Sequence, residues 1–169
     1  EDFAVRLLAA RRDSLEKALA LATSDEDWRR DLNLSSYASK HDPREILGGV
    51  DPAVLQSIFP HFTQGQDREG RPVVYKTFGA ALVISELVKS VSVEQLSCYN
   101  IWLNELMVQR LAAQSRAEGR LVSRLTVVVD AKGWHIGLAT KVAYAFLKDM
   151  AATDQDHYYE RLGGIVVIN

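Results

Sequence analysis

Two short β-branched runs limit the fold of this chain more than any other feature. Residues 125–129 read Leu-Thr-Val-Val-Val and residues 165–168 read Ile-Val-Val-Ile. A continuous apolar run of this length suits a strand buried on both faces, as in a parallel sheet. A parallel pair needs a long crossover, and a helix is predicted between the runs over residues 137–152. A further strand is predicted over residues 73–78, after the turn Asp67-Arg-Glu-Gly70-Arg71-Pro72. This order of strands and helices implies a mainly parallel sheet with right-handed crossovers, the two β-branched runs being parallel within it.

The remaining elements are mostly helical. Residues 93–117 read as a long amphipathic helix ended by Gly119, and residues 81–89 as a short one. Asp154 and Asp156 have the side chains of helix starters, and Gly163-Gly164 reads as a stop. The last sixteen residues therefore predict a polar loop, a charged helical turn and a buried strand. Residues 2–33 predict two helices, with Phe3, Leu7 and Leu8 on one stripe and Asp13 with Glu16 as a capping box for the second. Pro43, Gly48-Gly49 and Pro52 are breaks, with a short helix over residues 52–58. The expected division is a helical lobe over residues 1–50 and an α/β unit over residues 51–169. The chain stops on an apolar strand that nothing later covers, so the natural protein is expected to continue.

Composition narrows the function. The chain has 169 residues, 47% hydrophobic and 25% charged, with a net charge of −2. That balance describes a globular chain and gives no reason to expect nucleic acid. Its one cysteine, Cys98, excludes an internal disulfide, and no Cys/His spacing points to a metal. No apolar run approaches the roughly 18 residues of a membrane span, and no signal-peptide pattern is present. A cytoplasmic location is expected.

Five blocks in order then resemble one family. They are Phe3 to Trp28-Arg29-Arg30, Asp67-Arg-Glu-Gly-Arg-Pro-Val-Val-Tyr75, Gln114-Ser-Arg116 to Gly119, Val129-Asp130-x-x-Gly133, and Tyr159-Glu160-Arg161-Leu-Gly163 through Ile168-Asn169. Together they resemble the CRAL-TRIO lipid-binding family, and within it the yeast-type (Sec-fourteen-like) phosphatidylinositol transfer proteins. Tyr159 stands where that family usually has proline. The resemblance implies an α/β fold with an N-terminal helical lobe and a lipid cavity over the sheet. A gate helix and the last strands are expected beyond Asn169. It also implies phosphatidylinositol as ligand, transient contact with organelle membranes, and presentation of the lipid to a phosphatidylinositol kinase. No catalytic residue, metal or cofactor is implied beyond the bound phospholipid.

By the same resemblance, Glu160 reads an inositol headgroup, and Arg29 and Arg30 answer its phosphodiester or steady Glu160. The residue types alone also allow a surface Glu160–Arg161 pair, and an arginine pair that complements a helix C-terminus. Thr63, Val74, Leu125 and Val127 align with positions where phosphatidylcholine-exchanging members carry hydroxyl groups. Only Thr63 has one here. A phosphocholine buried beside valine and leucine would lose hydrogen bonds, so a hydrophobic second ligand is expected. A sterol or other neutral hydrophobe is the alternative cargo. The remaining reading is a small α/β enzyme using Asp130 and His135, without any nucleophile, phosphate loop or metal spacing to support it.

Overall fold

In the computed structural model, which describes residues 2–78, 89–138 and 140–169, a helical lobe precedes a four-stranded sheet. Helices α1 (Asp2–Ala10) and α2 (Leu15–Asp31) pack through Leu7, Ala18 and Leu21, and Tyr159 completes their core from the far end of the chain. The expected capping box at Asp13 is absent. Arg12 and Asp13 take left-handed φ values of 51° and 62°, and the Asp13 N–H donates back to the Leu8 carbonyl at 2.9 Å. Asp13 thus closes α1, and Ser14 is the N-cap of α2.

Helices α3 (Tyr37–Lys40), α4 (Pro43–Ile46) and α5 (Pro52–Ile58) follow. Asp42 and Asp51 start the last two by accepting from the N–H of Arg44 (2.7 Å) and Ala53 (2.9 Å), each with proline in the first turn. The short helix expected over residues 81–89 lies outside the described residues, save for its last position.

The sheet has the order β1-β2-β3-β4, with β1 His61–Gln66, β2 Pro72–Thr77, β3 Leu125–Asp130 and β4 Leu162–Ile168. As the spacing of the apolar runs predicts, β2 with β3 and β3 with β4 are parallel. Helices α6 (Val93–Glu118) and α7 (Lys141–His157) are their crossovers. Ser92 and Gln95 form a reciprocal capping box that starts α6, and Gly119, at φ 63°, ends it. Strand β1 goes beyond the expected pattern. It pairs antiparallel with β2 through the Asp67–Arg71 turn, and its sequence His-Phe-Thr-Gln-Gly-Gln has little apolar signal. Leu47, Leu55, Leu96, Tyr99 and Phe146 form the main helical core.

The C-terminal stretch corrects three expectations. Asp154 and Asp156 lie in the last turn of α7 and start no new helix. The Asp154 carboxylate instead accepts at Oδ1 from Asn100 (3.1 Å) and Asn104 (2.7 Å), which ties the end of α7 to α6. Gly163 and Gly164 stop no helix either, since both are inside β4. Leu125 faces Leu162 while Thr126 faces Gly164, so Gly163 is the extra residue of a bulge. A Cβ there would lie 2.7 Å from Arg71 Nη1, so any larger residue would have to push the Arg71 side chain aside. Finally, β4 is not buried on both faces. Among the described residues it is the outermost strand, and Ile165 to Ile168 are 42–65% exposed in this chain.

Candidate functional site

The side-chain period of a strand is two, so alternate residues of β1, β2 and β3 share one face. Thr63 pairs with Val74, Val74 with Val127, and Val127 with Ile165, giving a continuous row across all four strands. Leu125 and Leu162 pair in a second row on that face, which the bulge at Gly163 keeps in phase with Ile165. His61, Lys76 and Val129 form a third. This face floors a cavity of about 680 Å³. Its wall is one side of α6, with Asn100, Leu103, Asn104, Met107 and Arg110 at helical spacing. The end of α7 and the turn after it close one side through Asp154, Tyr158 and Glu160.

Glu160 lies at the rim. Its backbone is left-handed at φ 57°, rare for a residue with a Cβ, between the buried Tyr158 and Tyr159 and the start of β4. Its carboxylate accepts from Arg124 at 3.1 Å and stays one-third exposed. Thr63, Val74, Leu125 and Val127 line the same cavity, so the structure brings all four together with Glu160.

It does not bring the arginine pair there. Arg29 donates to Glu105 Oε1 at 2.8 Å, and the Tyr158 hydroxyl donates to the same oxygen at 2.9 Å. Burial, helped by that carboxylate, pushes the Tyr158 phenol up. Arg29 lines a separate recess of about 210 Å³ with Asp25, His157 and Tyr159. Arg30 lines neither space and pairs on the surface with Asp27 at 2.5 Å. The base that holds Glu160 is Arg124, immediately before β3.

Sequence reasoning missed the polar groups inside the cavity. His61 is held by both ring nitrogens, Nδ1 at 2.9 Å from the Phe59 carbonyl and Nε2 at 3.2 Å from the Gln56 amide. That pattern is the neutral ring with its proton on Nδ1, and burial lowers its pKa. Burial also pushes the Lys76 ammonium down, partly offset by Asp154. The period of two could have found Lys76, because it must share the face of Val74.

Asp130 and His135 do not form an acid–base pair. Asp130 accepts from the Lys132 N–H and the Asn169 amide, each at 2.9 Å, and these bonds hold its carboxyl below the usual range. His135 is exposed, and among the described residues it makes no hydrogen bond to Asp130. No group of three or more His, Cys, Asp or Glu could hold a metal ion among the described residues, and no described helix is long and apolar enough to cross a membrane.

Comparison with known proteins adds three results. Residues 59–169 match the family profile of the CRAL/TRIO domain. The chain is 28% identical over 98% of its length to the SEC14 cytosolic factor of Yarrowia lipolytica, and 29% identical over 98% to that of Candida glabrata. It is 27% identical over 98% to the Arabidopsis thaliana phosphatidylinositol/phosphatidylcholine transfer protein SFH9. It spans 32%, 52% and 28% of the lengths of these three relatives. The crystal structure of Sfh5 superposes with a TM-score of 0.71 at 21% identity, covering 97% of this chain and 52% of that one. At that identity the likeness is one of fold.

Proposed function

This chain belongs to the CRAL/TRIO domain family, and on that premise we propose that the full-length protein binds single phospholipids and carries them between membranes. The observation that carries the reading is the convergence of Glu160 with the aliphatic floor of Val74, Leu125 and Val127 on one cavity of about 680 Å³. Such a space shields acyl chains from water, and each methylene removed from water favours binding by about 0.8 kcal/mol. Glu160, held by Arg124 at the rim, is placed to accept from inositol hydroxyls while the chains lie over the sheet. The full-length protein transfers phosphatidylinositol, touches membranes transiently and presents the lipid to a kinase. Phosphatidylcholine is a poor second ligand, because Val74, Leu125 and Val127 leave its headgroup without partners. Arg29 takes a structural role through Glu105, and Asp130 and His135 take no catalytic one.

The test is vesicle-to-vesicle transfer by the full-length protein. Phosphatidylinositol should move faster than phosphatidylcholine, and Glu160→Ala should lower phosphatidylinositol transfer about tenfold without unfolding the protein, the loss of one charge-assisted contact. Unchanged transfer by the folded variant would remove Glu160 from the headgroup site.

A further inference from the structure

The cavity is apolar except for a group of charged and polar side chains, and their hydrogen bonds separate them sharply. Asp154 is engaged by two asparagine amides, Glu160 by Arg124, and Arg161 by the Ser123 carbonyl. Arg11 reaches the Ala10 carbonyl and, at 3.9 Å, Asp156. His61 has both ring nitrogens occupied. Lys76 differs. Among the described residues its ammonium has no hydrogen bond and no carboxylate within ion-pair distance, although it is half-buried on the floor between Val74 and the bonded His61. Asp154 acts on it only through space. Among the described residues Arg110 also has no hydrogen bond or ion pair, but it stands on the exposed rim. Among the described residues the cavity therefore holds one inner cation without a hydrogen bond or ion pair and a second at its mouth.

An ammonium withdrawn from water with no partner is unfavourable, and an anion that enters with an apolar chain corrects it. Resting on the reading of the cavity as a lipid site, we propose that Lys76 is the counter-ion for an acidic lipid, whose carboxylate or phosphate monoester pairs with it while its chain covers Val74, Val127 and Val129. A zwitterion fits less well, because its choline would lie among valines and beside the two cations. A neutral ester or sterol would leave Lys76 as it is. The same pairing would raise the depressed pKa of Lys76 back toward its ordinary value.

The experiment equilibrates the full-length protein with phosphatidylcholine vesicles carrying oleic acid, methyl oleate, phosphatidic acid or diacylglycerol. The protein is then re-isolated and its lipid quantified, and phosphatidylinositol transfer is measured on the same samples. Each acid should be retained about tenfold over its neutral counterpart, the scale of one charge-assisted contact. Lys76→Met should abolish that preference and Lys76→Arg should keep it, with both variants folded as the unmodified protein is by circular dichroism. Retention of oleic acid alone identifies a carboxylate ligand, and retention of phosphatidic acid alone a phosphate; either supports the proposal. Equal retention of acids and neutral lipids, or an undiminished preference in Lys76→Met, overturns it. If the unmodified protein transfers no phosphatidylinositol and retains no lipid, the lipid-carrier reading fails and this one with it. If it transfers phosphatidylinositol but prefers no acid, only this one fails.

Discussion

Two regions of the molecule withdraw charge from water and treat it in opposite ways. At the junction of the helical lobe with α7, each charge has a partner. Asp25, 2% exposed, receives His157 Nδ1 at 2.9 Å, and Trp28 stacks on the same imidazole with ring centroids 3.6 Å apart. A few residues on, Glu105 gathers both Arg29 and Tyr158. In the cavity, on the other side of Tyr158, Lys76 has neither a hydrogen bond nor an ion pair among the described residues. The difference separates architecture from binding. A satisfied buried charge locates one element against another, whereas an unsatisfied one is a standing preference for a ligand of opposite charge.

The largest test of that contrast is Glu105→Ala. It removes one acceptor and leaves both a guanidinium and a buried hydroxyl without their partner, so the full-length protein should lose about 3 kcal/mol in urea unfolding. A loss below about 1 kcal/mol would place this cluster with the weak surface pairs and break the comparison. Next is Asp25→Ala. His157 keeps its stacking on Trp28 but loses its acceptor, and a destabilisation of about 2 kcal/mol is expected by the same measurement.

The smallest effect should have the opposite sign. Lys76→Met removes a desolvated ammonium from the unliganded protein, which should gain up to about 1 kcal/mol. Its pH dependence sharpens the point. Burial lowers the folded-state pKa of Lys76 below its ordinary 10.5. Below that lowered value both states bind the proton and the folded state bears the full desolvation cost. As the pH rises through it, the unfolded chain binds more protons than the folded one, so the wild type gains stability up to about 10.5. The advantage of Lys76→Met should therefore shrink between those two pKa values. A lysine already paired would give the reverse trend.

Much of this arrangement is local and was legible in the chain. The valine and isoleucine runs specify strands, the long crossover between them permits the parallel pairing, and Gly119 and the proline-led turns punctuate the helices. Alternation places Val74, Leu125 and Val127 on their faces once the strands are known. Glu160 and its motif could be singled out by resemblance, but the left-handed turn that exposes it and its pairing with Arg124 could not.

What tertiary structure alone decided are partnerships across long sequence separations. Arg29 was expected near the headgroup, yet Glu105, 76 positions later, takes it. His157 finds Asp25 across 132 positions. Asp154 has the side chain of a helix starter, but two asparagines of another helix occupy its oxygen. Polar β1 becomes a strand because the Asp67 turn folds it back onto β2, where its backbone groups pair. Propensity and periodicity act over a few residues and so are written in the local sequence. Which oxygen satisfies a given cation depends on which groups are brought within about 3 Å once water is excluded, and the packed fold supplies that proximity.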